Sequence, residues 1–217
     1  MTNIFLSLLT MTAMANVQDK PEPIAKKDLP KEAECVICTA GGAGHDLEKP
    51  AAGVMYKGKA FYFCNAKEIP TFTKNPDFYL PLDLPMAMPE FNLKDYSGAI
   101  WNAEAFKGKL VLLDYWATWC KPCLALKPKL DKIRDTYKGK GFEVVSVSID
   151  EKQETLDKFF AKKKWDNPVV RDTNKTWASL RVVAIPALFL VKDGQVVAQF
   201  RGEGDPKAVE SAVKANL

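Results

Sequence analysis

The chain has 217 residues, of which 47% are hydrophobic and 27% charged, with a formal net charge of +4. That length accommodates one ordinary domain and a small companion, and the apolar fraction supports a packed core. So slight a positive excess, with no basic run interleaved with aromatics, is too weak to imply a nucleic-acid partner, and none is expected.

In chain order, Ile4 to Leu9 opens a short apolar stretch that ends at Ala13-Met14-Ala15, a small-residue cleavage pattern. The stretch is too short for a membrane span and reads as an export signal over 1–15, although no lysine or arginine precedes it. A Lys/Pro/Glu-rich tether over 16–32 follows. A small unit is then expected over 33–80. It opens on Cys35-Val36-Ile37-Cys38, a knuckle spacing, and contains a hairpin-like run from Met55 to Phe63 that ends against Cys64. Phe61-Tyr62-Phe63 supplies a miniature core, and His45, the only histidine, reads as a solvated loop residue.

After a linker at 81–89, the pattern from 90 to 217 alternates strands and helices. Leu110 to Trp116 is an apolar run that predicts a buried strand. It leads directly into Trp119-Cys120-Lys121-Pro122-Cys123, with two thiols one helical turn apart. The helix N-terminus favours a thiolate at the first sulfur, and the second lies on the same face, close enough to close a small ring. A structural disulfide or half of a zinc site are the plainer readings of such a pair. Leu126, Leu130, Ile133 and Tyr137 recur at helical spacing behind it, with Pro128 inside the helix. Phe142 to Asp150 predicts a second strand, and Leu156, Phe159 and Phe160 a helix whose lysines face solvent. Pro168-Val169-Val170 reads as a short extra strand, followed by a helix through Trp177 to Leu180. A hairpin at Ala187–Val191 and Val196–Phe200 and a terminal helix from about Pro206 complete an α/β layering.

Asp114 interrupts the apolar strand. A carboxylate there is costly to bury, and burial would raise its pKa. It is either an outward-facing strand residue or a proton acceptor for Cys123 beneath the dithiol. Pro186 opens the Ala187 run, a position at which proline is tolerated.

Together, Pro89-Glu90-Phe91, Phe106-Lys107-Gly108-Lys109, Trp116 through Cys123, Pro128, Ile185-Pro186 and Lys192-Asp193-Gly194 resemble the thioredoxin superfamily, and within it the TlpA/ResA-like thiol oxidoreductases. The resemblance covers about residues 86–217. It implies a thioredoxin-like fold, a central mixed sheet flanked by helices, with Cys120 as attacking thiol, Cys123 as resolving thiol and Pro186 as a cis proline facing them. Trp119 and the Ile185-Pro186 backbone would form a shallow surface for disulfide-containing substrate proteins. An exported reductant would need electrons, and the resemblance suggests a membrane donor of the CcdA/DsbD type. Leu126 and Asp114 depart from the TlpA pattern toward thioredoxin's own choices, so a general electron donor is as credible as a dedicated maturation factor. Proline before Cys123 and a buried Asp114 favour the reducing end of the fold's potential range.

Setting the dithiol aside leaves Cys35, Cys38 and Cys64, and an odd number argues against a purely structural disulfide set. Cys35 and Cys38, Tyr56 through Cys64, and Phe72, Pro76 and Tyr79 resemble a YHS/TRASH-type module, a small treble-clef-like metal-binding fold. Glu68 stands where many members place another cysteine. Three thiolates could hold Cu(I), or zinc with Glu68 or water as fourth ligand; a Cys35–Cys38 disulfide with Cys64 buried or reactive is the competing reading. Two functions are therefore expected to compete: an exported thiol-disulfide oxidoreductase using Cys120 and Cys123, and a periplasmic metal-binding protein or metallochaperone using Cys35, Cys38 and Cys64.

Overall fold

In a computed structural model, residues 20–44, 46–202 and 204–217 are described. The signal segment expected at 1–15, the start of the tether and His45 lie outside them. Among the described residues no helix is long and apolar enough to cross a membrane.

The N-terminal unit is built around one hairpin. Strands β1 (Glu22–Pro23) and β2 (Ala33–Glu34) precede helix α1 (Val36–Ala40), and β3 (Leu47–Glu48) returns to pair with β2. Strands β4 (Ala52–Tyr56) and β5 (Lys59–Phe63) form the hairpin, closed by Lys57 and Gly58, both at positive φ, as a two-residue turn of this hand requires. Helix α2 (Ile69–Lys74) carries Pro70 in its first turn, where the missing N–H costs nothing. Its Phe72 is fully buried and meets the rings of Tyr56, Phe61, Phe63 and Tyr79 at centroid distances of 5.4–6.4 Å. The stretch read as a tether is partly taken into this unit, because β1 pairs antiparallel with β4.

The second unit begins with β6 (Met86–Ala87), β7 (Asn92–Lys94) and β8 (Ile100–Asn102). Strand β9 (Leu110–Trp116) leads into α3 (Lys121–Tyr137). Then come β10 (Phe142–Ser148), α4 (Gln153–Phe160), β11 (Val169–Arg171), α5 (Thr176–Ser179), the hairpin β12 (Ala187–Lys192) and β13 (Gln195–Arg201), and α6 (Pro206–Asn216). The main sheet runs β11-β10-β9-β12-β13-β6, parallel among β11, β10 and β9 and antiparallel beyond. The stretch read as a linker at 81–89 thus supplies an edge strand. Every residue of β9 is buried, as expected for a central strand covered on both faces.

Alternation along β9 divides the core. Val111, Leu113 and Tyr115 point to one face, where Phe91, Trp101 and Phe106 pack. Leu110 and Leu112 point to the other, under Leu126, Leu130 and Ile133 of α3 and Val209 and Val213 of α6. The N-terminal unit docks on β13. Arg201 donates to the carbonyls of Tyr79 and Leu80 at 2.9 and 2.7 Å, and Gln199 accepts from the Leu82 amide at 3.2 Å. Gly42 and Gly202 touch backbone to backbone, so closely that a Cβ on Gly42 would lie 2.2 Å from the Gly202 Cα.

Candidate active site

The reacting sulfurs lie at the junction of β9 and α3. Cys120 caps the helix in extended conformation, and its Sγ accepts from the Cys123 amide at 3.2 Å. Cys120 and Cys123 form a disulfide, with Cα atoms 5.3 Å apart. A helix start presents unpaired N–H groups at this sulfur, the arrangement that stabilises a thiolate once the bond is opened. Both cysteines are only 4% exposed, whereas Trp119 beside them is 68% exposed. A partner therefore meets the indole before the sulfur. The Ile185–Pro186 peptide is cis, and the Ile185 carbonyl oxygen lies 3.8 Å from Cys120 Sγ. The cis bond ahead of β12 thus brings the Ile185 carbonyl to the dithiol.

The outward-facing alternative for Asp114 does not hold. By strand alternation Asp114 shares the α3-covered face with Leu112 and Trp116, and it is 3% exposed. Its sheet neighbours in register are Ser146 on β10 and Leu188 on β12. Burial pushes its carboxyl up to about 6, against the opposing pull of the Lys127 charge and of the Ser146 hydroxyl, which donates to it at 3.2 Å. A carboxyl titrating there is ionised at neutral pH yet basic enough to take a proton from a neighbour.

A Thioredoxin-like family model matches residues 108–196. The thiol-disulfide oxidoreductase ResA of Bacillus thuringiensis subsp. konkukian is 33% identical over 131 residues, which cover 58% of this chain and 74% of the relative. The chain belongs to the thioredoxin-like thiol-disulfide oxidoreductases. Among solved structures, a thiol:disulfide interchange protein DsbE from Chlorobium tepidum superposes with a TM-score of 0.54 at 32% identity, covering 62% of this chain and 95% of its own. The thioredoxin domain of a thiol-disulfide oxidoreductase from Bacteroides vulgatus also gives 0.54, at 30% identity, covering 61% of this chain and 99% of its own.

Parts of this oxidoreductase site escaped the sequence reading. Asp150 is buried and accepts from the Thr118 amide at 2.9 Å and the Thr118 hydroxyl at 2.8 Å, which pins the loop ahead of Cys120. Ser148 donates to the same carboxylate at 2.8 Å. Lys127 is also buried, on the dithiol helix, where its place beside the apolar stripe is the one sequence signal of that burial.

The oxidoreductase carries its remaining cysteines in the N-terminal unit, all as free thiols. The sulfurs of Cys35, Cys38 and Cys64 lie within 4.8 Å of one another. The Cys38 and Cys64 sulfurs are 3.7 Å apart. A β-bridge between Cys35 and Tyr62 holds the knuckle against β5. Glu68 Oε2 accepts from Cys35 at 3.6 Å and from Cys64 at 3.8 Å. Burial, then contact with Cys35, pushes the Cys38 thiol up; the same two causes push Cys64 up to about 12. Such thiols stay protonated and poorly nucleophilic in neutral water. A tetrahedral zinc with sulfurs at about 2.3 Å sets them about 3.8 Å apart, so this spacing needs little adjustment to hold one ion.

Proposed function

We propose that the chain is an exported reductase of protein disulfides, acting through Cys120 and Cys123. The observation that carries the reading is the Cys120–Cys123 pair at the start of α3, with Asp114, buried on the sheet face that this helix covers, as the proposed acceptor of the Cys123 proton. Cys120 as thiolate attacks one sulfur of a substrate disulfide; a mixed disulfide forms and the other substrate sulfur leaves as thiolate. Cys123 gives its proton to Asp114 and attacks the Cys120 sulfur. The Cys120–substrate bond breaks, the second substrate sulfur leaves, and two electrons have passed to the substrate. The exposed Trp119 and the cis Ile185-Pro186 backbone seat the partner chain. The resulting disulfide is re-reduced by an external dithiol, for which a membrane donor of the CcdA/DsbD type is the expectation. Export rests on the segment at 1–15. The test is single-turnover reduction of a disulfide-bonded protein by the reduced chain. Wild type reduces it stoichiometrically and Cys120→Ser does not; activity surviving in Cys120→Ser contradicts the mechanism.

A second reading concerns the N-terminal unit, taken as a YHS/TRASH-like module. The three gathered sulfurs and the Glu68 carboxylate form a donor set suited to one soft or borderline ion, Cu(I) or Zn, with the oxygen donor favouring zinc. Binding would deprotonate the thiols and release protons. Metal analysis of the chain after anaerobic loading should give one ion per chain, lost in Cys64→Ser and retained in Cys120→Ser. No bound ion in wild type removes this reading and leaves the reductase intact.

A further inference from the structure

The dithiol rim of the sheet is where β9 and β13 end and β12 begins between them. Ala187 pairs with Tyr115 on one side and with Arg201 on the other. Pro186 comes just before Ala187, and Gly202 just after Arg201. The antiparallel ladder therefore carries Gly202 to the side of the cis peptide, one strand spacing of about 4.8 Å away. The Ile185 carbonyl of that peptide lies 3.8 Å from Cys120 Sγ. Gly202 is also the residue on which Gly42 rests, backbone to backbone. The N-terminal unit thus comes to the rim directly beside the surface given above to the substrate chain.

Side chains on both sides hold it there. Arg201 binds the carbonyls of Tyr79 and Leu80, Arg181 donates to the Pro81 carbonyl at 3.0 Å, and the Phe78 ring meets Trp177 of α5 edge-on, with centroids 6.4 Å apart. An open cleft of about 610 Å³ remains at the joint, lined among others by Thr39 and Ala43 of the small unit, by Pro81, and by Gln199, Arg201 and Asp205. Asp205 is engaged at the start of α6, where it caps the helix through the Lys207 amide at 2.9 Å and the N-terminal dipole offsets its charge. Arg201 is not matched in this way. Its two terminal nitrogens meet neutral carbonyls, and its Nε–H is buried with no acceptor. Burial, then the charge of Arg181, pull the guanidinium below its ordinary pKa. A buried cation held by carbonyls, with a donor to spare, is the half of a charge-assisted pair that awaits an anion.

We propose that the N-terminal unit is a wall of the substrate groove, and that the cleft at the joint takes the substrate chain beyond its disulfide as an extended segment whose carboxylate pairs with Arg201. The proposal rests on the reductase reading above. Trp119 and the cis peptide hold the chain at its sulfur, and the cleft reads it a few residues farther on, since an extended chain advances about 3.3 Å per residue. The choice among disulfides then lies with the joint of the two units, while the exchange itself stays with Cys120 and Cys123.

The test is single-turnover reduction by the reduced full-length chain of four disulfides. One is hydroxyethyl disulfide, too small to reach the cleft. The others are symmetric disulfides of one short peptide with a single cysteine, in which the residues a few places from the cysteine are all Glu, all Gln or all Lys. Each peptide rate is divided by the hydroxyethyl disulfide rate of the same protein, which removes any change in the dithiol itself. Wild type should favour the Glu peptide over the Lys peptide by about tenfold or more, the worth of one hydrogen bond between charged groups. In Arg201→Gln the Glu peptide should fall to the level of the Gln peptide. Ala43→Glu, at an exposed position that no fold contact depends on, should do the same by placing a competing carboxylate at the cleft, and it carries the test if Arg201→Gln does not fold. Equal rates for the Glu and Lys peptides in wild type, or an acidic preference that survives in either folded variant, overturn the proposal while hydroxyethyl disulfide is still reduced. Hydroxyethyl disulfide left intact by wild type overturns the reductase reading and the proposal with it.

Discussion

Cys120 and Cys123 share one turn of one helix, whereas Cys38 and Cys64 are brought to 3.7 Å from positions 26 residues apart, with Cys35 and Glu68 closing the group. The first pair sits at unpaired helix N–H groups and beneath it lies a carboxyl raised to about 6. In the second group burial, then contact with Cys35, raises the Cys38 and Cys64 thiols, Cys64 up to about 12. Sulfur in the same chain is thus set up for exchange at one place and for passive retention, or for metal in place of protons, at the other. What decides between them is neither the Cys-x-x-Cys spacing nor the helix start, since Cys35 caps α1 as Cys120 caps α3, but what surrounds the sulfurs: a third cysteine and Glu68 at one, a buried carboxyl on the sheet face under the helix at the other.

The contrast can be broken first at the small unit. Phe72→Ala removes the ring on which its aromatic core is assembled, at a cost of about 3–5 kcal/mol, more than so small a core can absorb. The expected outcome is loss of the three-sulfur cluster, read as free reactivity of Cys35, Cys38 and Cys64, while disulfide reduction by Cys120 continues. Parallel loss of both would show that the two units do not act separately.

Asp114→Asn sharpens the other side. The wild-type carboxyl titrates at about 6 when folded and at about 3.9 when unfolded, so the folded state binds more protons between those values. Stability of the wild type therefore falls as pH rises through this window and is level above it. Asp114→Asn lacks the fall, and at pH 7 should be more stable by up to about 3 kcal/mol, the gain vanishing below about pH 4. Denaturant titrations of both proteins at pH 4 and 7 check this. A gain of stability accompanied by slower resolution is the signature of a group kept for chemistry; equal stability at both pH values would mean that the carboxyl is not strained by burial.

The thioredoxin-like half was largely legible in the sequence because its signals are local and periodic. The apolar run of β9, the helical stripe of α3 and the β-branched run of β10 each specify their element, and a lone aspartate in an apolar strand announces itself. Two-residue strands such as Glu22–Pro23 and Met86–Ala87 carry no such period; they exist only because β4 and β13 have open edges for them. The same holds for contacts set by tertiary packing. Nothing in the spacing shows that Asp150 anchors Thr118, that the Trp165 ring lies against Lys127, or that Cys38 meets Cys64. The Gly42 to Gly202 contact, which joins the two units, is likewise a meeting of distant glycines.

The central claim is that exchange belongs to Cys120 and to none of the three N-terminal cysteines. Cys123→Ser removes the resolving thiol, so the attacking sulfur should be trapped with its partner. Incubating the reduced variant with a disulfide-bonded protein and mapping the covalent adduct by peptide mass measures this directly. The account predicts a mixed disulfide at Cys120 alone, with Cys35, Cys38 and Cys64 unmodified. An adduct at any of those three, with Cys120 free, would contradict it.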